Sequence, residues 1–153
     1  MKKKRNRLLF VGFFFILAFS SIIFLYDHVH YNRAKDNIFE IPKTYNLWKS
    51  GNTMRYEKYY FIQSPPKSQQ KLENIIRDFI NQNKVLEDAV EEGADYIALN
   101  FMIPDYNLPI YFEENNNYYK MDDRIKHYIE TNRIALYTYN FEDDIENLAI
   151  SLE

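Results

Sequence analysis

Two hydrophobic patterns divide this chain. Residues 8–26, LLFVGFFFILAFSSIIFLY, form an apolar run without a charged residue. As a helix the run would extend about 28 Å, close to the hydrocarbon thickness of a bilayer. It is apolar on every face, whereas a helix lying on a soluble core keeps one polar face. Ser20 and Ser21 are small enough to bond the helix's own carbonyls. The run therefore predicts a transmembrane helix over residues 8–26.

Beyond it the apolar positions become periodic. Residues 27–37, DHVHYNRAKDN, are polar and predict a juxtamembrane stalk, with room for the helix to continue into it for a turn or two. Residues 38–48 show no clear period, and Gly51-Asn52 reads as a turn. Residues 55–63, RYEKYYFIQ, are rich in strand-favouring aromatics, with Tyr59 and Phe61 on one face and Tyr60 and Ile62 on the other. Ser64-Pro65-Pro66 ends that strand, because proline cannot donate to a ladder. Ser68 then caps a helix to about residue 83, whose stripe is Leu72, Ile75, Ile76, Phe79 and Ile80. A second helical piece covers residues 84–92 and stops at Gly93.

Residues 95–103, DYIALNFMI, predict a central strand with Ile97, Leu99, Phe101 and Ile103 on one face. Residues 110–113 and 118–121 flank an Asn-rich loop and predict a hairpin. Asp122 and Asp123 open a short helix to about residue 130. Residues 133–141, RIALYTYNF, return to strand. Residues 142–152 predict a closing helix, acidic in its first turn, with Ile145, Leu148, Ala149 and Leu152 as its stripe. Together these elements predict an α+β domain over residues 38–153. Its sheet would be mainly antiparallel, with four or five strands covered by helices on one face.

Charge orients the anchor. Lys2, Lys3, Lys4, Arg5 and Arg7 form a basic stub over residues 1–7. Such a cluster keeps the N-terminus in the cytoplasm and sends the domain outside, as a single-pass signal-anchor does. A cleaved signal peptide is the competing expectation, with Ala18-Phe19-Ser20 as its site. The apolar run continues past that site, which favours an uncleaved anchor. Gly12 has no partner glycine four residues on, so the run carries no helix-dimer motif.

All 22 acidic residues follow the run but only 14 of the 19 Lys and Arg do, so the extracytoplasmic part carries formal charge −8 against −3 for the whole chain. An acidic domain without a basic stripe argues against nucleic acid and against close docking on anionic lipid. The chain has no cysteine, which excludes disulfides and thiol chemistry.

Catalytic motifs are sparse. Gly12, Gly51 and Gly93 are too scattered for a phosphate-binding loop. No serine stands in an elbow motif for a triad with His28, His30 or His127. On an extended segment His28 and His30 would share a side with Asp27 and could hold a metal, but a polar stalk explains them as well. Loops at Asp105 and Asp122 lack the calcium pattern. The acid pairs Glu91-Glu92, Glu113-Glu114, Asp122-Asp123 and Asp143-Asp144 read as solvated faces or caps, since acid–base hydrolysis needs two carboxylates across a cleft. His127 reads as a surface histidine. No metal and no cofactor is expected.

The segment Tyr59-Tyr60-Phe61-Ile62-Gln63-Ser64-Pro65-Pro66-Lys67 before an amphipathic helix, with Asp123-Arg124-Ile125 before a later strand, resembles small uncharacterised bacterial envelope proteins, many of them lipoprotein-like. The resemblance implies an envelope location and carries no functional residue. This chain lacks their lipid-bearing cysteine and has the apolar run in its place.

These features lead to the expectation of a non-enzymatic module, tethered outside the cell membrane, that works by contact with an envelope protein. An immunity-like protein is one such form. Its expected partner surface is Tyr106, Tyr111, Glu113, Glu114, Tyr118 and Tyr119, since tyrosine anchors many interfaces. The alternatives are an envelope carbohydrate-binding module, which needs a row of exposed rings, and a carboxylate-dependent hydrolase, which needs two opposed acids.

Overall fold

The alternation around Tyr59 and Tyr60 builds two cores on opposite faces of one sheet. A computed structural model describes residues 2–41, 46–104 and 123–152, with the backbone alone for residues 2–14 and Asn46. The elements are α1 (Lys2–Lys35), β1 (Ile38–Glu40), β2 (Asn46–Ser50), β3 (Thr53–Ile62), α2 (Gln69–Gln82), α3 (Val85–Glu91), β4 (Tyr96–Met102), α4 (Asp123–Asn132), β5 (Arg133–Asn140) and β6 (Ile145–Ile150). The hairpin predicted over residues 110–121 lies outside the described residues.

The fold is α+β. The sheet runs β1-β3-β4-β5-β6, with β2 also on β3. β1 pairs with the end of β3 (Ile38 opposite Ile62) and β2 with its beginning (Ser50 opposite Thr53), both antiparallel. Gly51, at φ +62°, turns β2 into β3, and only glycine takes that conformation without strain. β3 and β4 are parallel, while β5 and β6 follow antiparallel. Among the described residues the sheet therefore has six strands, where four or five were expected, and it is mainly antiparallel as expected, with one parallel pair among its five pairings. The parallel pair follows from its connection, since a crossover through helices returns the chain in the same direction.

On one face lie Tyr56, Tyr60 and Ile62 of β3 with Ile97, Leu99 and Phe101 of β4. They are covered by Leu72, Ile75, Ile76 and Ile80 of α2 and by Val85 and Ala89 of α3. Ser68 caps α2 by accepting a bond from the Lys71 amide at 3.4 Å. Gly93, at φ +79°, follows α3. On the other face Tyr59, Phe61 and Met102 pack with Ile41 and with Ile125, Tyr128 and Ile129 of α4. Helices thus cover both faces, not one. The expectation missed this because α4 is short, and its side of the sheet is set by topology.

The C-terminal segment corrects a second expectation. Residues 142–152 are not a helix; they hold the β6 strand. Leu148, Ile150 and Leu152, two apart, all pack on the first core. The helical stripe was a coincidence of spacing. Asn140 makes the difference: its side chain accepts from the Glu142 amide at 3.0 Å and donates to Asp143 at 2.6 Å. Asp144 takes a left-handed φ of +54° and accepts from the Tyr139 hydroxyl. This turn chemistry competes with a helix N-cap and brings β6 back along β5.

The N-terminal helix is continuous from Lys2 to Lys35. In residues 27–37 the helix continues beyond the apolar run to Lys35, as the expected stalk allowed, and this part docks on α2. Ala34 is fully buried and Tyr31 packs against the same core. Asp27 pairs with Lys71 at 3.1 Å and Lys35 with Asp78 at 3.0 Å. Above this joint the side chains from Phe15 to Tyr26 are uncovered, with Phe15 74 % and Phe24 71 % exposed. Ser20 and Ser21 donate to the carbonyls of Ile16 and Leu17, both at 2.8 Å. Among the described residues no helix is long and apolar enough to cross a membrane, and the side chains of residues 8–14 are not among those described.

Two predictions test this packing. Ile76→Ala, in the first core, is expected to cost about 2–5 kcal/mol, by lost burial plus the cavity left behind. Ile145→Ser, on an exposed edge, is expected to change stability by less than about 0.5 kcal/mol. Urea unfolding of the full chain in micelles, followed by Trp48 fluorescence, measures both. Burial also holds the Tyr60 phenol far above its ordinary value, with Glu40, Tyr56 and Asp88 adding to the shift. Burial moves Tyr56 and Tyr137 the same way. In the unfolded chain these phenols ionise near pH 10. The stability they contribute is complete below about pH 10 and is lost as the pH rises beyond it. Tyr60→Phe is therefore expected to move the alkaline unfolding midpoint upward, as read by circular dichroism.

Candidate functional site: a cleft at the ends of the parallel strands

Because β3 and β4 run parallel, their carboxyl ends lie at the same end of the sheet. β3 leads into Pro65-Pro66-Lys67 and β4 into Ile103-Pro104. The antiparallel strands bring the start of β5 and the end of β6 to that end. A cleft of about 790 Å³ opens there, walled by Pro65, Pro66, Lys67, Ile103, Arg133 and Leu152, with Glu130 at the end of α4. Its floor is tied by the Ile103 amide to the Asn132 carbonyl at 3.0 Å and by the Ser151 amide to the Ile134 carbonyl at 2.9 Å. The Tyr128 hydroxyl donates to the Ile103 carbonyl at 3.1 Å and holds α4 against the rim.

Arg133 links the cleft to a polar chain inside the sheet. Its Nη1 donates to Asn100 Oδ1 at 3.2 Å. Asn100 Nδ2 donates to Glu57 Oε1 at 3.3 Å, and the Tyr59 hydroxyl donates to the same oxygen at 2.8 Å. Asn100 is 2 % exposed and is the one fully buried polar side chain among the described residues. The chain explains why an asparagine interrupts the apolar face of β4: its two ends bind opposite partners, a cation and a carboxylate.

A second polar feature lies at the other end of the same face. The Arg55 guanidinium sits over the rings of Trp48 at 5.5 Å and Tyr96 at 4.9 Å. Register places these three residues side by side across β2, β3 and β4. Arg55 fills the space between the rings, so among the described residues they do not form a continuous aromatic platform there.

The expected partner surface, Tyr106, Tyr111, Glu113, Glu114, Tyr118 and Tyr119, lies outside the described residues, as do Asp105 and Asp122. His28 and His30 are helical and therefore point to opposite sides of α1. His28 stacks on Phe24 and His30 on Tyr26, with centroids 6.2 and 5.5 Å apart. Among the described residues no three His, Asp or Glu side chains converge on a common point. His127 is exposed on α4. Of the acid pairs, Glu91-Glu92 and Asp143-Asp144 are exposed, Asp144 and Asp143 serving the β5–β6 turn.

Sequence reasoning missed Lys67, Glu130 and Arg133 as a group. Residues so far apart in the chain meet only because β3 and β4 are parallel. The available signal was the strand–helix–helix–strand order over residues 53–102, which predicts a parallel pair with its ligand-accessible end at the strand carboxyl termini. Among the described residues the cleft offers two cations, one carboxylate and an apolar wall, a set suited to holding an anionic amphiphile.

Asn100→Ala would strand Glu57 and Arg133 without their shared partner. It is expected to lower stability by about 1–3 kcal/mol, measured by urea unfolding of the full chain.

No family model matches the chain, and no curated protein or solved structure is significantly similar to it.

Proposed function

We propose that the chain is a single-pass membrane protein whose basic N-terminus stays in the cytoplasm and whose α+β domain works outside as a non-enzymatic binding module. One observation carries the reading: the upper part of α1 is apolar and uncovered on all sides, yet the same helix is locked into the domain core. In water each of those exposed large side chains forgoes roughly 1.5–3 kcal/mol of burial. A bilayer supplies the missing cover. The serine bonds to Ile16 and Leu17 support this, since hydroxyls in hydrocarbon must be satisfied internally. So does Tyr26 at the end of the run, stacked on His30, because aromatic rings favour the interface.

A binding role is favoured over hydrolysis by the described surfaces. Glu57 is committed to Tyr59 and Asn100. Among the described residues the cleft holds one acid, Glu130, rather than an opposed pair. The sheet also ends on β6, whose outer edge pairs with no described strand. Such an edge accepts an extended segment of a partner protein through main-chain bonds.

The absence of native cysteine makes topology directly testable. Asn6→Cys and Glu142→Cys are expected to behave oppositely toward a membrane-impermeant maleimide on intact cells. The site at 142 reacts at once, and the site at 6 reacts only after the cells are opened. Equal reaction at both sites on intact cells contradicts the proposed orientation. Recovery of a shortened chain lacking residue 6 contradicts the uncleaved anchor.

A further inference from the structure

The anchored reading fixes which end of the domain meets the bilayer. α1 and α2 lie side by side and run the same way, since Asp27 pairs with Lys71 near the start of α2 and Lys35 with Asp78 seven residues on. The first turn of α2 is therefore level with Asp27, the first charged residue after the apolar run. Lys35 lies about 12 Å further along the helix. There the chain joins the end of β3: the Gln63 amide donates to the Asn37 carbonyl at 3.3 Å, and Ile38 pairs with Ile62. The carboxyl ends of β3 and β4 thus point toward the membrane, and so does the cleft between them. Lys67 immediately precedes the Ser68 cap of α2, at the membrane-proximal extreme. A headgroup layer extends about 5–7 Å beyond the hydrocarbon, so it reaches this level.

The cleft is chemically suited to what lies there. Lys67 is exposed and has no carboxylate partner among the described residues. Arg133 spends one nitrogen on Asn100 and forms no ion pair among the described residues. Pro66, Ile103 and Leu152 give the apolar wall, and Glu130 is the acid at the rim. Arg133 gains orientation from its neutral partner Asn100 without losing its charge. The domain's charge of −8 opposes general adhesion to an anionic surface. Whatever is held must therefore be held by this local pair.

We propose that the cleft holds the phosphate-bearing headgroup of one anionic phospholipid from the adjoining leaflet, with Lys67 and Arg133 on the phosphate and the apolar wall against the glycerol and first acyl carbons. The assignment rests on the anchored reading, since it is the anchor that brings the cleft to the bilayer. A zwitterionic lipid carries a quaternary ammonium beside the same phosphate, which Lys67 and Arg133 repel, so roughly tenfold selectivity for the anionic lipid is expected.

The test uses the full chain in a neutral detergent, supplied with phosphatidylglycerol or phosphatidylcholine, with retained lipid counted by native mass spectrometry. Retention of one phosphatidylglycerol at roughly tenfold lower lipid concentration than phosphatidylcholine is expected. Lys67→Glu and the double variant Lys67→Ala with Arg133→Gln are expected to abolish the preference, while Lys49→Glu on β2 preserves it. Equal retention of both lipids, or a preference unchanged in Lys67→Glu, overturns the assignment. Displacement by soluble glycerol phosphate at the lipid's own concentration also overturns it, by assigning the cleft to a free phosphate ester. Alkaline carbonate washing of the parent membranes reads the anchor separately. A chain that washes out overturns the anchored reading, whereas a chain that stays but shows no lipid preference overturns only the cleft.

Discussion

Ala34 is fully buried in the core between α2 and the sheet, eight residues after the tyrosine that ends a run of uncovered apolar side chains. The small side chain lets α1 approach closely. The ion pairs Asp27–Lys71 and Lys35–Asp78 then set the helix direction and register against α2. Exposed pairs of this kind contribute little to stability, typically below about 1 kcal/mol. Their role is geometric: two pairs of opposite polarity at the two ends of the contact admit one orientation and penalise the reverse. Everything proposed about the molecule's placement follows from that joint. A helix that ended at residue 26, followed by a loose stalk, would leave the domain free to turn any side toward the bilayer.

The sheet depends in turn on β3. This ten-residue strand pairs with β1, β2 and β4 and supplies both cores, with Tyr56, Tyr60 and Ile62 on one face and Tyr59 and Phe61 on the other. Tyr60 stacks on Phe101 at 5.2 Å and meets Phe79 edge-on at 5.0 Å, so aromatic packing joins α2 to the two central strands. Where the face needs a polar residue, Asn100 serves Glu57 and Arg133 together. The buried polar chain is thereby satisfied within itself and leads out to the cleft.

Local signals were legible where one residue type had one physical role. Ser68 as a cap, the Leu72-to-Ile80 stripe, the alternation of β3 and β4, and the turn at Gly51 are all readable because each needs only near neighbours. β6 was not, because a spacing of three and four at Ile145, Leu148, Ala149 and Leu152 also contains a spacing of two at Leu148, Ile150 and Leu152. Only the pairing partner β5 decides between them. The parallel direction of β4 and the second covered face were hidden for the same reason, being properties of the connection. The candidate site inherits that difficulty. Lys67 and Arg133 are ordinary in the sequence, and their meaning comes from two strands ending together beside an anchoring helix.

The central claim is one of orientation, with the strand ends and cleft toward the membrane and the β2–β3 turn away from it. Ile62 and the Gly51-Asn52 turn lie at opposite ends of β3, about 30 Å apart at the usual strand rise. Fluorophores on Lys67→Cys and Asn52→Cys, in the full chain reconstituted into bilayers carrying a headgroup nitroxide lipid, measure the placement of both ends at once. The account predicts strong quenching at position 67 and none at position 52. Equal quenching at the two positions, or stronger quenching at 52, would contradict it.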